Sequence, residues 1–287
     1  MRVGAHLRTP GGLRTAVESA RNVGADAVQL FISNPRAWSG PRLDTAEKFG
    51  AEWRAGGIRP LYVHAPYLVN IASPNPEFIG KSLELCQKSV RACGVIEAAG
   101  FVVHAGAGGP GERAEPLERA TAVLQAILSA TPDSTRLLVE LMPGTTGAVA
   151  STIPEAAELF QAVDDERLGL VLDTCHLFVT GYALDEPAGV ETLFDELHTM
   201  GLTGRLRLMH LNDAKNERGS RRDRHEVVGE GSIGLDGFAA IVNRPEVREI
   251  SGVVETPASG EARKAELERI RSLVQERVKR TRLLPRR

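Results

Sequence analysis

Short apolar runs that each close on a histidine or a carboxylate constrain this chain more than any other feature. IRPLYVH at 58–64, GFVVH at 100–104, RLLVE at 136–140, LGLVLD at 168–173, RLRLMH at 205–210 and ISGVVE at 250–255 share this design. RVGAH at 2–6, itself ending on His6, and DAVQLFI at 26–32 bring the strand-like runs to eight, separated by longer amphipathic stretches. Val-, Ile- and Leu-rich runs alternating with helical patterns read as βα units around a buried parallel sheet. Eight of them in succession predict an α/β fold, the (β/α)8 TIM barrel, in which a polar residue ending a strand emerges at the face where barrel enzymes place their chemistry.

The helical patterns fall at 12–23, 77–99, 115–130, 154–163, 187–200 and 261–280, several of them opened by proline or an acidic residue. Barrels of this length commonly form one unit, so residues 1–287 are read as a single domain with a basic tail from about 279. The net charge of −2 supplies no global field for a polyanion, so local charge must serve. The run KNERGSRRDR at 215–224 carries five cations against two acids. No apolar stretch approaches the ~18 residues needed to cross a bilayer, and the first residues lack the regions of a secretory signal. A cytoplasmic monomer with no membrane contact is expected. Cys86, Cys93 and Cys175 are odd in number and form no CxxC pair, which argues against disulfides and thiolate zinc sites. Cys175 is read as turned away from Asp173 and not as a ligand, and Trp38 is read as core.

His64, His104, Glu140, Asp173, His176, His210, Asp223, His225 and Glu255 together read as a multinuclear metal site. Imidazole and carboxylate suit zinc and related divalent ions, and more carboxylates than one zinc needs imply oxygens shared between metals. Asp223 and His225 stand at i and i+2, sharing a face of an extended segment while Arg224 points elsewhere. Hydrolysis of a phosphate ester is the reaction such clusters serve best.

The segments GAHL and GGL at 4–13, NPRAW at 34–38, HAPYLVNIA at 64–72, LDTCHLFVTGYAL at 172–184 and MHLNDAKNERGSRRDRHEVVGEGSIG at 209–234 make the chain similar to the endonuclease IV family of apurinic/apyrimidinic (AP) endonucleases. The resemblance implies a TIM barrel holding three zinc ions. His64, His104 and Glu140 would bind the first, and Glu140 would bridge to a second held by Asp173, His210 and Glu255. His176, Asp223 and His225 would hold the third, with manganese or iron admitted by the same ligands. It implies hydrolysis on the 5′ side of an abasic site in duplex DNA, leaving 3′-hydroxyl and 5′-deoxyribose phosphate ends in base excision repair, with Glu140 the catalytic carboxylate. Arg36, Tyr67 and Leu68 would bind the DNA, wedging open the bent duplex beside the extruded nucleotide.

The chain departs from the family at LMPGTTGAV after Glu140, at AGAGG after His104, at HLRTPGG and at Ala37. Two other readings compete. A divalent-metal sugar isomerase or epimerase of the related barrel type would use Glu140, Asp173, His210 and Glu255 but leaves His176, Asp223 and His225 without a task. A non-catalytic binder of damaged DNA would keep the metals for stability alone.

Overall fold

The computed structural model describes residues 1–8 and 12–282, with side chains through residue 274. Eight parallel strands close a barrel: β1 Arg2–His6, β2 Val28–Leu30, β3 Leu61–His64, β4 Gly100–His104, β5 Arg136–Glu140, β6 Leu168–Asp173, β7 Leu206–His210 and β10 Ser251–Val254. The last strand pairs with the first, Arg2 opposite Ser251 through Ala5 opposite Val254. Between β7 and β10, β8 Asp213–Ala214 and β9 His225–Glu226 form a small antiparallel ribbon. All eight sequence-read strands are present, with β2, β3, β7 and β10 shorter than their apolar runs.

The six expected helices are α1 Ala16–Val23, α3 Pro76–Ile96, α4 Ala114–Leu128, α5 Ile153–Val163, α7 Pro187–Thr199 and α9 Gly260–Arg282. The structure adds α2 Leu43–Gly56, α6 Thr174–Thr180 and α8 Gly234–Val242. Their starts have local causes. Thr152 Oγ1 accepts from Glu155 N while Glu155 Oε2 accepts from Thr152 N, a capping box that fixes the first turn of α5. Among the described residues no helix is long and apolar enough to cross a membrane. The helical backbone of α9 enters the basic tail as far as Arg282, but the tail's side chains and residues 283–287 lie outside what is described.

The strands alternate between two apolar environments, as a period of two requires. Phe101 and Val103 of β4 join the large cluster against the helices, whereas Val102 turns into the barrel with Ala27, Tyr62, Leu138, Val171, Leu208 and Val253. Gly4 is the eighth member of this inner layer, where a Cβ would lie 1.8 Å from Ala27 O. The lumen is therefore filled with side chains below, and the next inward residue on each strand stands on that apolar floor.

Two of the segments that depart from the family the sequence resembles, the loops after β4 and β5, pack on each other; residues 9–11 of a third, HLRTPGG, lie outside the described residues. Gly108 N donates to Gly147 O, Val149 N donates to Gly106 O, and Ala107 bridges Ala148. Asn70 secures the first loop, donating to Ala107 O at 2.8 Å and accepting from Ala107 N at 3.1 Å. Gly147 has φ +72°, and a Cβ there would fall 1.9 Å from Gly109 O. Gly147→Ala should therefore cost about 1–3 kcal/mol from backbone strain alone, seen as a thermal midpoint lower by several degrees. An unchanged midpoint would mean the paired loops yield freely.

Candidate metal centre

One residue beyond the inner apolar layer in the inward-facing rows, every barrel strand presents a polar side chain. These are His6, Gln29, His64, His104, Glu140, Asp173 and His210, with Glu255 directly after β10. The ladder sets His6 opposite Gln29, His104 opposite Glu140 and Asp173 opposite His210. The strand-end residues of the sequence thus meet in one ring at one end of the barrel. His176 joins it from α6, and Asp223 with His225 from β9 and the loop before it.

The ring resolves into groups whose ligand-type atoms lie within 4.8 Å of one another: His64 with His104 and Glu140; Glu140 with Asp173, His210 and Glu255; His176 with Asp223 and His225. Glu140 joins the first two. Its Oε2 is 3.1 Å from His64 Nε2 and 3.4 Å from His104 Nε2, and its Oε1 is 3.1 Å from His210 Nδ1. His210 Nδ1 also lies 3.4 Å from Glu255 Oε2 and 3.8 Å from Asp173 Oδ2. In the third group Asp223 is 3.1 Å from His225 Nε2 through Oδ1 and 3.4 Å from His176 Nε2 through Oδ2. All nine residues named as metal ligands are thereby brought together.

Neighbouring backbone fixes which imidazole nitrogen faces inward. His64 Nδ1 lies 2.8 Å from Ala65 O and His176 Nδ1 2.8 Å from Leu141 O. A carbonyl only accepts, so each Nδ1 carries a proton, and Nε2 is the nitrogen whose lone pair is free to meet a metal when the imidazole is neutral. Asp173 caps α6 by accepting from His176 N through Oδ1 at 3.0 Å, while its Oδ2 accepts from Asn212 at 2.6 Å.

The donor set fits divalent cations. Glu140 Oε1, His210 Nδ1 and His225 Nε2 are buried yet make no well-aligned hydrogen bond, a costly state for polar atoms unless another partner serves them. Burial opposes the charged form of Glu140, but the imidazoles of His210 and His104 outweigh it and hold the carboxyl well below its usual range. Burial likewise lowers His210 and His225. The carboxylates of Glu255 and Glu140 nevertheless push His210 up to about 9, and Asp173 and Asp223 push His225 up to about 9. Four carboxylates so confined demand positive charge, and protons on imidazole supply it where metal does not.

The ring floors an open cavity of about 1270 Å³ whose wall includes Phe31, Arg36, Tyr67 and Arg8. Tyr67 is 67% exposed at the rim, and its backbone N donates to Pro35 O, joining the segment that carries Arg36 to the one that carries Tyr67 and Leu68. Leu68 is half-buried in the same turn and does not line the cavity. Phe31 packs edge-on against both Tyr67 and His64, at centroid distances of 5.0 and 5.7 Å, a continuous aromatic path from rim to floor. In the basic run, Lys215, Arg218, Arg221, Arg222 and Arg224 are exposed.

Two expectations need correction. Trp38 is half-buried against Phe78 on the surface, not core. Cys175 is not turned away from Asp173: positions two apart share a face even of an extended segment, and with α6 beginning at Thr174 it lies within reach of Asp173 and His225. Its sulfur lies 3.7 Å from Asp223 Oδ1, and burial with Asp173 and Asp223 drives the thiol strongly upward, so it stays protonated as a donor to that carboxylate. Sequence reading passed over Gln29 and gave His6 no task, although both stand in the ring. Position on a strand, two residues past Ala27 and Gly4, was the signal available.

Residues 17–273 match the family described as a xylose isomerase-like TIM barrel. The probable endonuclease 4 of Streptomyces avermitilis is 38% identical over 280 residues, which is 94% of this chain and 89% of that protein. The crystal structure of endonuclease IV from Thermus thermophilus superposes with a TM-score of 0.81 at 29% identity, covering 96% of this chain and 100% of that one. The E. coli 3-keto-D-glucoside 4-epimerase shares the fold, with a TM-score of 0.73 at 16% identity over 95% and 99% of the two chains.

A raised folded-state imidazole pKa stabilises the protein below the ordinary value of 6.5, and that contribution is lost as pH climbs through the folded value of about 9. Chelated protein should therefore lose thermal stability between pH 6.5 and 9.5. Metal-loaded protein, which needs neutral imidazoles, should hold or gain stability across the same range. Parallel melting curves for the two samples would refute this assignment of charge.

Proposed function

The chain belongs to the endonuclease IV family, and from that premise we propose that it is a metal-dependent AP endonuclease. It would hydrolyse the phosphodiester 5′ to an abasic site in duplex DNA, leaving 3′-hydroxyl and 5′-deoxyribose phosphate ends. The observation that carries the reading is the convergence of three ligand groups on one face, two of them sharing Glu140, at the floor of a cavity with Arg36 and Tyr67 at its rim.

His64, His104 and Glu140 would hold one ion, Glu140 with Asp173, His210 and Glu255 a second, and His176, Asp223 and His225 a third. Zinc suits this set, and manganese or iron are admitted by it. When bound, such ions supply Lewis-acid charge for a phosphoryl group and acidify water to a pKa of about 7. Glu140 spans the two innermost groups, so its two oxygens fix where they stand relative to each other. His104, with a side chain 37% exposed, is the most open member of its group. Arg36, Tyr67 and Leu68 would enter the duplex beside the lesion, where a missing base lowers the cost of extrusion. Exposed cations of the 215–224 loop provide the local attraction for phosphates that the net charge of −2 does not. We propose a single domain over residues 1–287, acting as a cytoplasmic monomer.

The third group also separates this reading from sugar epimerisation, which accounts for Glu140, Asp173, His210 and Glu255 and gives His176, Asp223 and His225 nothing to do. The test is a labelled duplex with one abasic-site analogue, incubated with metal-replete protein beside undamaged and chelated controls. One chelator-sensitive cut 5′ to the lesion is expected, and no cut with metals restored would end the proposal. Glu140→Gln should abolish cleavage while binding to the damaged duplex is largely kept. Arg36→Ala should weaken that binding by about tenfold, the loss expected for a contact of about 1.4 kcal/mol. A gel-shift titration beside the cleavage assay reads both.

A further inference from the structure

Gln29 stands in the ring with no solvent exposure, and every polar atom of its amide is engaged. Its Nε2 lies 2.5 Å from Glu255 Oε1 and 2.9 Å from His6 Nδ1, and its Oε1 lies 3.0 Å from His210 Nε2. These contacts admit one orientation of the amide. A carboxylate can only accept, so the NH2 group must face Glu255, which leaves the carbonyl oxygen facing His210. That oxygen in turn requires His210 Nε2 to carry the proton. In the neutral imidazole that a metal requires, the proton-free nitrogen of His210 is then Nδ1, the atom that lies 3.1 Å from Glu140, 3.4 Å from Glu255 Oε2 and 3.8 Å from Asp173. The same amide ties down Oε1 of Glu255 and leaves Oε2 turned toward the shared position.

We propose that Gln29 is a positioning residue for the metal site formed by Glu140, Asp173, His210 and Glu255, selecting through one buried amide both the nitrogen of His210 and the oxygen of Glu255 that face the ion. The inference rests on the metal reading given above. Gln29 comes from β2, a barrel strand that supplies none of the proposed ligands, so its place in the ring is explained by this task. The backbone performs the equivalent service for His64 and His176 through Ala65 O and Leu141 O. His210 Nε2 is served by a side chain, which makes its orientation open to substitution at a single position.

The experiment compares wild type, Gln29→Met and Gln29→Glu, each loaded with zinc, dialysed against graded chelator and measured for bound zinc. Wild type should retain its ions together. Gln29→Met, similar in length but unable to accept or donate, should release one ion at about 10- to 100-fold lower chelator strength, the range for loss of a partner behind a metal ligand, with the others kept. Long-range proton–nitrogen NMR on zinc-loaded wild type should place the His210 proton on Nε2. Gln29→Glu can accept from that Nε2 but cannot donate to Glu255, so it should keep the tautomer without recovering the zinc affinity. Equal zinc retention in wild type and Gln29→Met would overturn the inference, as would an Nδ1 proton on wild-type His210, a readout that needs no variant to fold. Wild type that holds no zinc at all would overturn the underlying metal reading, and this inference with it.

Discussion

Four carboxylates confined among imidazoles at the end of an apolar barrel are the interaction on which the rest of this structure depends. Glu140 and Asp173 are almost completely buried, and Glu255 and Asp223 stand beside them. Charge of one sign in so small a volume is tolerable only when opposite charge is brought within a few ångströms. The barrel meets that demand by geometry. Each strand places a small or apolar side chain inside the lumen and, two residues later, a polar one above it. The packed lower layer excludes water from beneath the ring, and helices wrap its outside. Solvent and substrate therefore have access from the cavity side.

Position along the strands made most of this legible in the sequence. RLLVE or GFVVH is too apolar to be a loop, and a terminal Glu or His on such a run has few places to go in a parallel barrel. The parts that escaped have physical reasons. Gln29 lies inside DAVQLFI, where an uncharged amide interrupts an apolar run without marking its end, and only the inward row it shares with Ala27 reveals it. Residues 173–176 invite an extended reading after a strand, but a carboxylate that can accept from the backbone three residues on is a helix start. Cys175 was misplaced because positions two apart share a face of an extended segment, so alternation gives no ground for turning it away from Asp173. Trp38 illustrates the opposite error, since a large aromatic ring is worth burying but is seldom fully buried. Helix α2 was readable from Ala46, Phe49 and Trp53, whose spacing marks one buried face.

Two of the segments in which the sequence departs from its resemblance also form a physical unit. The AGAGG turn after β4 and the LMPGTTGAV segment after β5 meet backbone to backbone, at glycines that leave no room for a side chain between them. A change in one loop constrains the other, so the two behave as a single surface. Asn70 ties that surface to the segment that carries Tyr67 and Leu68. The uncharged rim therefore connects to the residues proposed to enter DNA, while the ring beneath keeps its nine ligand-type side chains.

Closure of the barrel by its first and last strands carries a consequence for how the protein is made. His6 and Glu255 are 249 positions apart and lie 2.9 Å from each other. Synthesis at roughly 5–20 residues per second delivers one end of the ring well before the other. Until β10 emerges, His210, Glu140 and Asp173 lack Glu255, and Gln29 has nothing to hold on that side. The complete ring thus forms only once β10 and Glu255 have been made, and a nascent barrel is kept from assembling the full centre before it has closed.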